Sequence, residues 1–343
     1  MANKMSISRR GFLVLPLALA ACKFDRRIFE FTGTTMGTYY QVTAVDVPDP
    51  VQQAEIKDGI ETAFASVIRQ LSNWDPKSEI SRFNANQTTN SVAMSPMLAE
   101  VMSAAAAVHQ QSLGRFDTTI TPLIEAWGFG ATGAQHKKPS QEKIRHALAN
   151  SGHHNTLDQS TNTLKKKKPE AQVFLSAIGK GFGTDVVARM LESKGVKNYL
   201  IEIGGDIYAK GRNENGQPWQ VGVETPRTSG SGIMEVVGLS NLGMASSGDY
   251  RNYFEQDGKR YSHVIDPTTG EPIKHHTASA TVLAENGMLA DAWATAMLTL
   301  GREEGLKVAD ANNIAVMFID RDYSNATERF KVTTNKRFKS LQI

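Results

Sequence analysis

Cysteine is nearly absent: Cys22 stands alone in 343 residues. That excludes a disulfide framework and a zinc site built on paired cysteines. Long apolar runs are absent as well. The run from Phe12 to Ala21 holds Pro16 and falls well short of the ~20 residues that a helix needs to cross a bilayer core, so it is no transmembrane anchor. Net charge is small, +3 over the whole chain. Lys4, Arg9 and Arg10, in an acid-free amino-terminal segment, account for it and leave the rest near neutral, without the basic footprint of a nucleic-acid-binding protein. Disorder is excluded by what is present, 40% hydrophobic against 21% charged residues, a balance that can bury a core. With no internal repeat and no Pro-, Gly- or Ser-rich linker, the motifs belong to one body, with two lobes at most.

The amino terminus runs from a basic segment through a short apolar stretch to Cys22, the layout of an export signal. Ser8-Arg9-Arg10-Gly11-Phe12-Leu13 resembles the twin-arginine export consensus, and Leu19-Ala20-Ala21-Cys22 resembles the lipobox at which bacterial lipoproteins are cleaved and acylated. The expectation is a signal peptide over 1–21, a tether over 22–28 that begins at lipidated Cys22, and a folded domain over 29–343. The domain would be held on the periplasmic side of the inner membrane.

Phe29 to Val45 predicts strands around a tight Thr34-Thr35-Met36-Gly37-Thr38 loop. Asp49 as cap with Pro50 after it, then Ile56, Ile60, Phe64, Val67 and Leu71, predicts a helix. Ser95-Pro96 opens another, with Leu98, Val101, Met102 and Ala105 on one face and Gly114 as its stop. Gln135 to Gln172 is polar and predicts a solvated helix and hairpin, with Lys165 to Lys168 in a solvated turn rather than a phosphate or membrane patch. His153-His154 and His275-His276 lack ligand spacing and read as loop residues.

Three places could carry chemistry. Val173 to Ile178 predicts a strand, Gly179 to Gly183 a glycine loop, and Thr184 a helix start, an arrangement whose amides suit a phosphate. Glu202, at the end of a strand from Tyr199, lies where a dinucleotide fold keeps its ribose-binding acid, but the glycines at 179, 181 and 183 miss G-x-G-x-x-G, and the P-loop pattern fails too. The second place is a helix over Asn286 to Leu300. There Asp291 and Thr295, spaced i,i+4, present a carboxylate and a hydroxyl together beside an apolar face. Such oxygens suit Mg²⁺, although a helix-bonded Thr and a solvated Asp would look the same. The third is His263, within Arg260 to Pro267, which is either a general base or a structural histidine.

In order along the chain, Thr34-Thr35-Met36-Gly37-Thr38, Ser78 to Asn84, Gly114-Arg115-Phe116-Asp117, Trp127-Gly128-Phe129-Gly130, Ser176 to Gly181, Glu202 to Asp206, Ser246 to Arg251, the His263 segment and Ala290 to Thr295 together resemble the ApbE family of FAD:protein FMN transferases, from about Phe29 to the carboxyl terminus. The resemblance implies an α+β, T-fold-related body of mixed or antiparallel sheets packed with helices. It implies an Mg²⁺-dependent enzyme that takes FAD, releases AMP and leaves FMN esterified to a Thr or Ser of an acceptor protein. Met36, Trp74, Arg115, Phe116, Asp117, Lys180, Val186 and Ile265 would line the FAD site. Asp291 and Thr295 would hold Mg²⁺ with a backbone carbonyl, that of Gly183 or in reserve Ala177, and His263 would deprotonate the acceptor hydroxyl. Phe174 and Gly183 depart from the acid and the Ala that the family commonly has there. Acceptors would be flavin-bearing subunits of membrane redox complexes with an Asp-x-x-Ser/Thr-Gly-Ala-Ser/Thr motif. The rivals are an FAD pyrophosphatase that gives free FMN and AMP, and a flavin-binding or merely structural lipoprotein without catalysis.

Overall fold

Thr, Tyr, Val and Phe dominate the first folded segment, which forms the hairpin Ile28–Thr35 and Thr38–Val45 in a computed structural model describing residues 28–48, 53–130, 137–227, 232–322 and 329–342. The export signal, Cys22 and the Asp49-Pro50 cap lie outside the described residues. Met36 and Gly37 turn the hairpin with φ of +49° and +76°. Two positive φ values match the twist of a two-residue hairpin, which Gly adopts freely and Met only under strain.

This hairpin begins an eight-stranded sheet whose spatial order follows the chain: Ile28–Thr35, Thr38–Val45, Asn198–Ile203, Asp206–Lys210, Leu242–Gly248, Thr277–Ala284, Ala315–Asp322 and Arg329–Thr334. Every neighbouring pair is antiparallel, the second of the two arrangements, mixed or antiparallel, that the α+β expectation allows. The helices Gln53–Leu71, Pro96–Gln111, Gly179–Ser193 and Gly287–Ala311 cover one face. The ribbon Trp219–Glu224 with Ile233–Leu239, and the helix Lys336–Leu341, cover the other. Period-two alternation lets one strand serve both cores: Val316 and Phe318 join the helical side, while Ala315, Met317 and Ile319 join the ribbon side. Each large apolar side chain buried this way contributes about 1.5–3 kcal/mol. A smaller cluster around Leu123, Trp127, Ile144 and Ile265 anchors the helices Thr121–Ala126 and Gln141–Ala149.

Four expectations need correction. Val173 to Ile178 is not a strand, because its backbone is claimed by side chains: Asn73 and Asn84 both donate to the Val173 carbonyl and accept the amides of Leu175 and Val173. The glycines are not a loop either. The helix runs Gly179–Ser193, starting five residues before Thr184, since glycine there permits helix contact rather than a turn. Lys166 is not solvated; it is buried and donates to the carbonyls of Asn84, Asn86 and Pro169, tying two segments distant in the chain. His153 is a buried residue of a one-turn helix whose ring packs against those of His109 and His154. The remainder of the polar stretch is the expected helix Gln141–Ala149 and hairpin Leu157–Gln159 with Thr163–Lys166. No helix among the described residues is long and apolar enough to cross a membrane.

Candidate functional site

The helices Gly179–Ser193 and Gly287–Ala311 meet at their amino termini. Gly181 and Gly287 are the contact: a Cβ on Gly181 would lie 2.1 Å from the Gly287 carbonyl oxygen. Only glycine admits this approach, so the glycine run reports helix packing at the site. Each helix then caps the other. The Gly181 amide donates to Asp291 Oδ2 at 3.0 Å, while Asp185 accepts from the amides of Gly287 at 2.7 Å and Met288 at 2.9 Å. Burial pushes the Asp185 carboxyl up to about 7 despite those two amides.

Lys180 lies in the first turn of its helix and pairs with Asp206, the first residue of the strand Asp206–Lys210. The strand ending at Ile203 reverses through Gly204 and Gly205 to place that carboxylate. Asp206 and Asp291 are both buried, and one ammonium stands against the two carboxylates. Burial and then the charge of Asp291 raise the Asp206 carboxyl well above the usual range, against the pull of Lys180. For Lys180, burial opposes the charge, but Asp291 and Asp206 outweigh it and the ammonium titrates higher than a free lysine. One turn after Asp291, Thr295 places its hydroxyl 3.2 Å from that of Ser247, at the end of strand Leu242–Gly248. A buried carboxylate and a hydroxyl on one helix face, beside a second buried carboxyl group, form an oxygen-rich environment that suits a small hard cation. Among the described residues no group of three or more His, Cys, Asp or Glu could hold a metal, so a cation here would need hydroxyl and carbonyl oxygens beside the Asp291 carboxylate.

His263 follows the strand Lys259–Ser262. Its Nδ1 lies 2.9 Å from the Asn252 carbonyl, which also accepts the His263 backbone amide at 3.0 Å. Nδ1 therefore carries the proton, and Nε2 keeps its lone pair. Burial lowers the imidazole pKa, partly offset by the Asn252 hydrogen bond and the charge of Asp249. Asp249 is itself paired to Arg321 through both carboxylate oxygens, at 2.8 and 2.5 Å.

The remaining expected residues divide into two groups. Arg115 Nη1 lies 2.9 Å from Asp266, next to buried Ile265, and Arg115 Nε is buried without a partner. Phe116 is core, and the Asp117 carboxylate serves the protein itself, accepting from the Thr119 amide and hydroxyl and from the His153 amide. These two fold the loop that presents Arg115. Met36, at the strained hairpin tip, packs at Gly183, and Val186 is buried one turn further along that helix. Gly183 lies inside the helix, where its carbonyl points along the axis toward the amide four residues on. Trp74 is 65% exposed, beside the Asn73 that pins the segment leading to Lys180.

Sequence reasoning gave no role to Asp185, to Asp206 as the partner of Lys180, or to Ser247 and Asn252. Asp206 and Ser247 lie inside noted motifs, so a signal existed for them. Asp185 reads from sequence as a polar residue on a helix, and Asn252 acts through its carbonyl, which no side chain reveals.

The chain matches the model of the ApbE family over residues 36–318. It is 41% identical over 335 residues to the FAD:protein FMN transferase of Haemophilus influenzae, covering 96% of each chain. Its structure is similar to that of the flavin transferase ApbE from Vibrio cholerae, with TM-score 0.83 and 36% identity over 92% of this chain and 99% of the other. It is equally similar to the apo form of the flavinyl transferase ApbE from Pseudomonas stutzeri, with TM-score 0.83 and 36% identity over 93% and 98%.

Proposed function

The chain belongs to the ApbE family and is an FAD:protein FMN transferase, and we propose how its residues divide that work. FAD lies with its pyrophosphate at the paired helix starts, where Lys180 binds phosphate oxygens. Arg115, Ile265, Met36, Val186 and the exposed ring of Trp74 surround the rest of the molecule. A Thr or Ser hydroxyl of the acceptor protein forms a bond from its oxygen to the FMN-side phosphorus. The bond from that phosphorus to the bridging oxygen breaks, and AMP leaves with its electron pair. The hydroxyl proton passes to Nε2 of His263, whose tautomer is fixed by Asn252.

Asp291 and Thr295 would hold Mg²⁺, together with the carbonyl of Ala177 in preference to that of Gly183. Ala177 precedes the helix that starts at Gly179, whereas the Gly183 carbonyl lies within it and faces the amide four residues on. The cation would neutralise charge on the pyrophosphate when bound. The observation that carries the reading is the convergence of the two helix starts, which brings Lys180, paired to Asp206, beside the buried Asp291 carboxylate, with Thr295 one turn further on.

The acceptors we propose are subunits of membrane redox complexes, reached by an enzyme lipidated at Cys22 and held on the periplasmic side of the inner membrane. Cys22→Ala should then release the protein from membranes. The reaction itself is tested by incubating the purified full chain with FAD, Mg²⁺ and an acceptor bearing the Thr/Ser motif. Acceptor mass raised by FMN with matching AMP is expected; AMP with free FMN and no adduct would contradict transfer.

A further inference from the structure

We infer that Asp185 is a positioning residue for the transfer reaction: by clasping the start of the Gly287–Ala311 helix, it sets the distance between the two helices that carry the reacting site. The inference rests on the reading that Asp291 and Thr295 hold the cation. The hydrogen bonds of the Asp185 carboxylate go to backbone amides and not to the side chains assigned to FAD or metal. It is buried, and both its oxygens are used, Oδ1 on the Gly287 amide at 2.7 Å and Oδ2 on the Met288 amide at 2.9 Å. These are amides of the first turn, which have no partner within their own helix, and a carboxylate there also meets the positive end of the helix dipole.

The reverse contact makes the arrangement specific. Asp291, one turn along the same helix, accepts the Gly181 amide of the helix that carries Asp185. Two helices thus cap each other across the Gly181 and Gly287 contact, where backbone meets backbone with no side chain to cushion a shift. A slip of either helix would move Lys180 on one side relative to Asp291 and Thr295 on the other. Asn286 caps the same helix by a different route, accepting the Leu289 amide at 2.8 Å from within its own chain segment. That cap stabilises the helix but does not tie it to its neighbour, so the two residues separate positioning from stability.

The test compares Asp185→Asn, Asn286→Ala and Asp291→Ala with wild type, as full chains in detergent without FAD, by Mn²⁺ titration followed by electron paramagnetic resonance. Melting temperature and transfer kinetics are measured alongside. Asp185→Asn keeps the shape and one acceptor oxygen, and it should weaken Mn²⁺ binding by about 10- to 100-fold, the range for residues that orient metal ligands. The KM for FAD should change less than kcat. Asn286→Ala should lower the melting temperature and leave Mn²⁺ affinity unchanged. Wild-type Mn²⁺ affinity in Asp185→Asn, or equal weakening in Asn286→Ala, would overturn the inference while the cation site stands. Unchanged Mn²⁺ binding in Asp291→Ala would overturn the cation reading, and the inference with it.

Discussion

Ser247 and Thr295 meet hydroxyl to hydroxyl at 3.2 Å, and this contact joins the two halves of the site. Thr295 belongs to the helix that carries Asp291, and the chain that leaves Ser247 reaches Asn252, whose carbonyl holds His263. The group that would meet the phosphate and the group that would take the proton are therefore fixed to one strand end, Leu242–Gly248, in the middle of the sheet. Catalysis by positioning needs this rigidity more than it needs covalent chemistry.

Asp291→Ala should lower AMP release by about 10²–10³-fold or more even at saturating FAD, since a charge that stabilises the transition state is lost. Lys180→Ala should act mainly on FAD affinity. Initial rates across FAD and Mg²⁺ titrations separate the two, and full turnover in Asp291→Ala would remove the cation from its assigned place.

His263→Ala should slow transfer by about 10²–10⁴-fold while leaving FAD binding intact. Because burial lowers the imidazole pKa, the neutral base persists to lower pH than in a free histidine. The acidic limb of the kcat profile is expected below the ~6.5 of free imidazole. A limb at or above that value would point to a different base.

The glycines make a prediction about packing. Gly181→Ala drives a Cβ to 2.1 Å from a backbone oxygen that cannot rotate away, and should destabilise by about 3 kcal/mol. Gly179→Ala meets nothing within 4 Å and should be neutral, or stabilising by up to about 1 kcal/mol. Melting curves of the two variants decide it; similar losses would mean that the glycines serve a loop after all.

His153 makes a prediction about acid. Burial, together with His109, lowers its pKa to about 4 in the fold, against ~6.5 in the unfolded chain. The unfolded state binds the proton first, so the stability contributed by neutral His153 is complete above pH ~6.5 and is lost as pH falls through about 4. The loss is at most about 3 kcal/mol. Melting temperature against pH should fall less steeply in His153→Gln, and parallel curves would contradict the assignment.

Periodicity made the elements legible where one face packs: Ile56 to Leu71, Leu98 to Ala105 and the apolar face after Asn286 all form helices with those residues inside. The i,i+4 pair Asp291 and Thr295 was visible for the same reason. Val173 to Ile178 misled because an apolar β-rich run looks alike whether sheet neighbours or the amides of Asn73 and Asn84 satisfy its backbone. The glycines misled because sequence does not distinguish a glycine needed for a turn from one needed for contact with Gly287, a hundred residues away in the chain. The motif resemblance alone marks Asp117 as an FAD contact, and the fold adds what sequence does not show, that its carboxylate accepts from Thr119 and His153.

The place where a divalent cation binds decides between a catalytic and a merely structural Asp291. Anomalous diffraction from crystals of the protein with FAD and Mn²⁺ should place the metal between the Asp291 carboxylate and the Thr295 hydroxyl, with the pyrophosphate beside Lys180. A metal peak away from both residues, with FAD bound, would contradict the catalytic assignment.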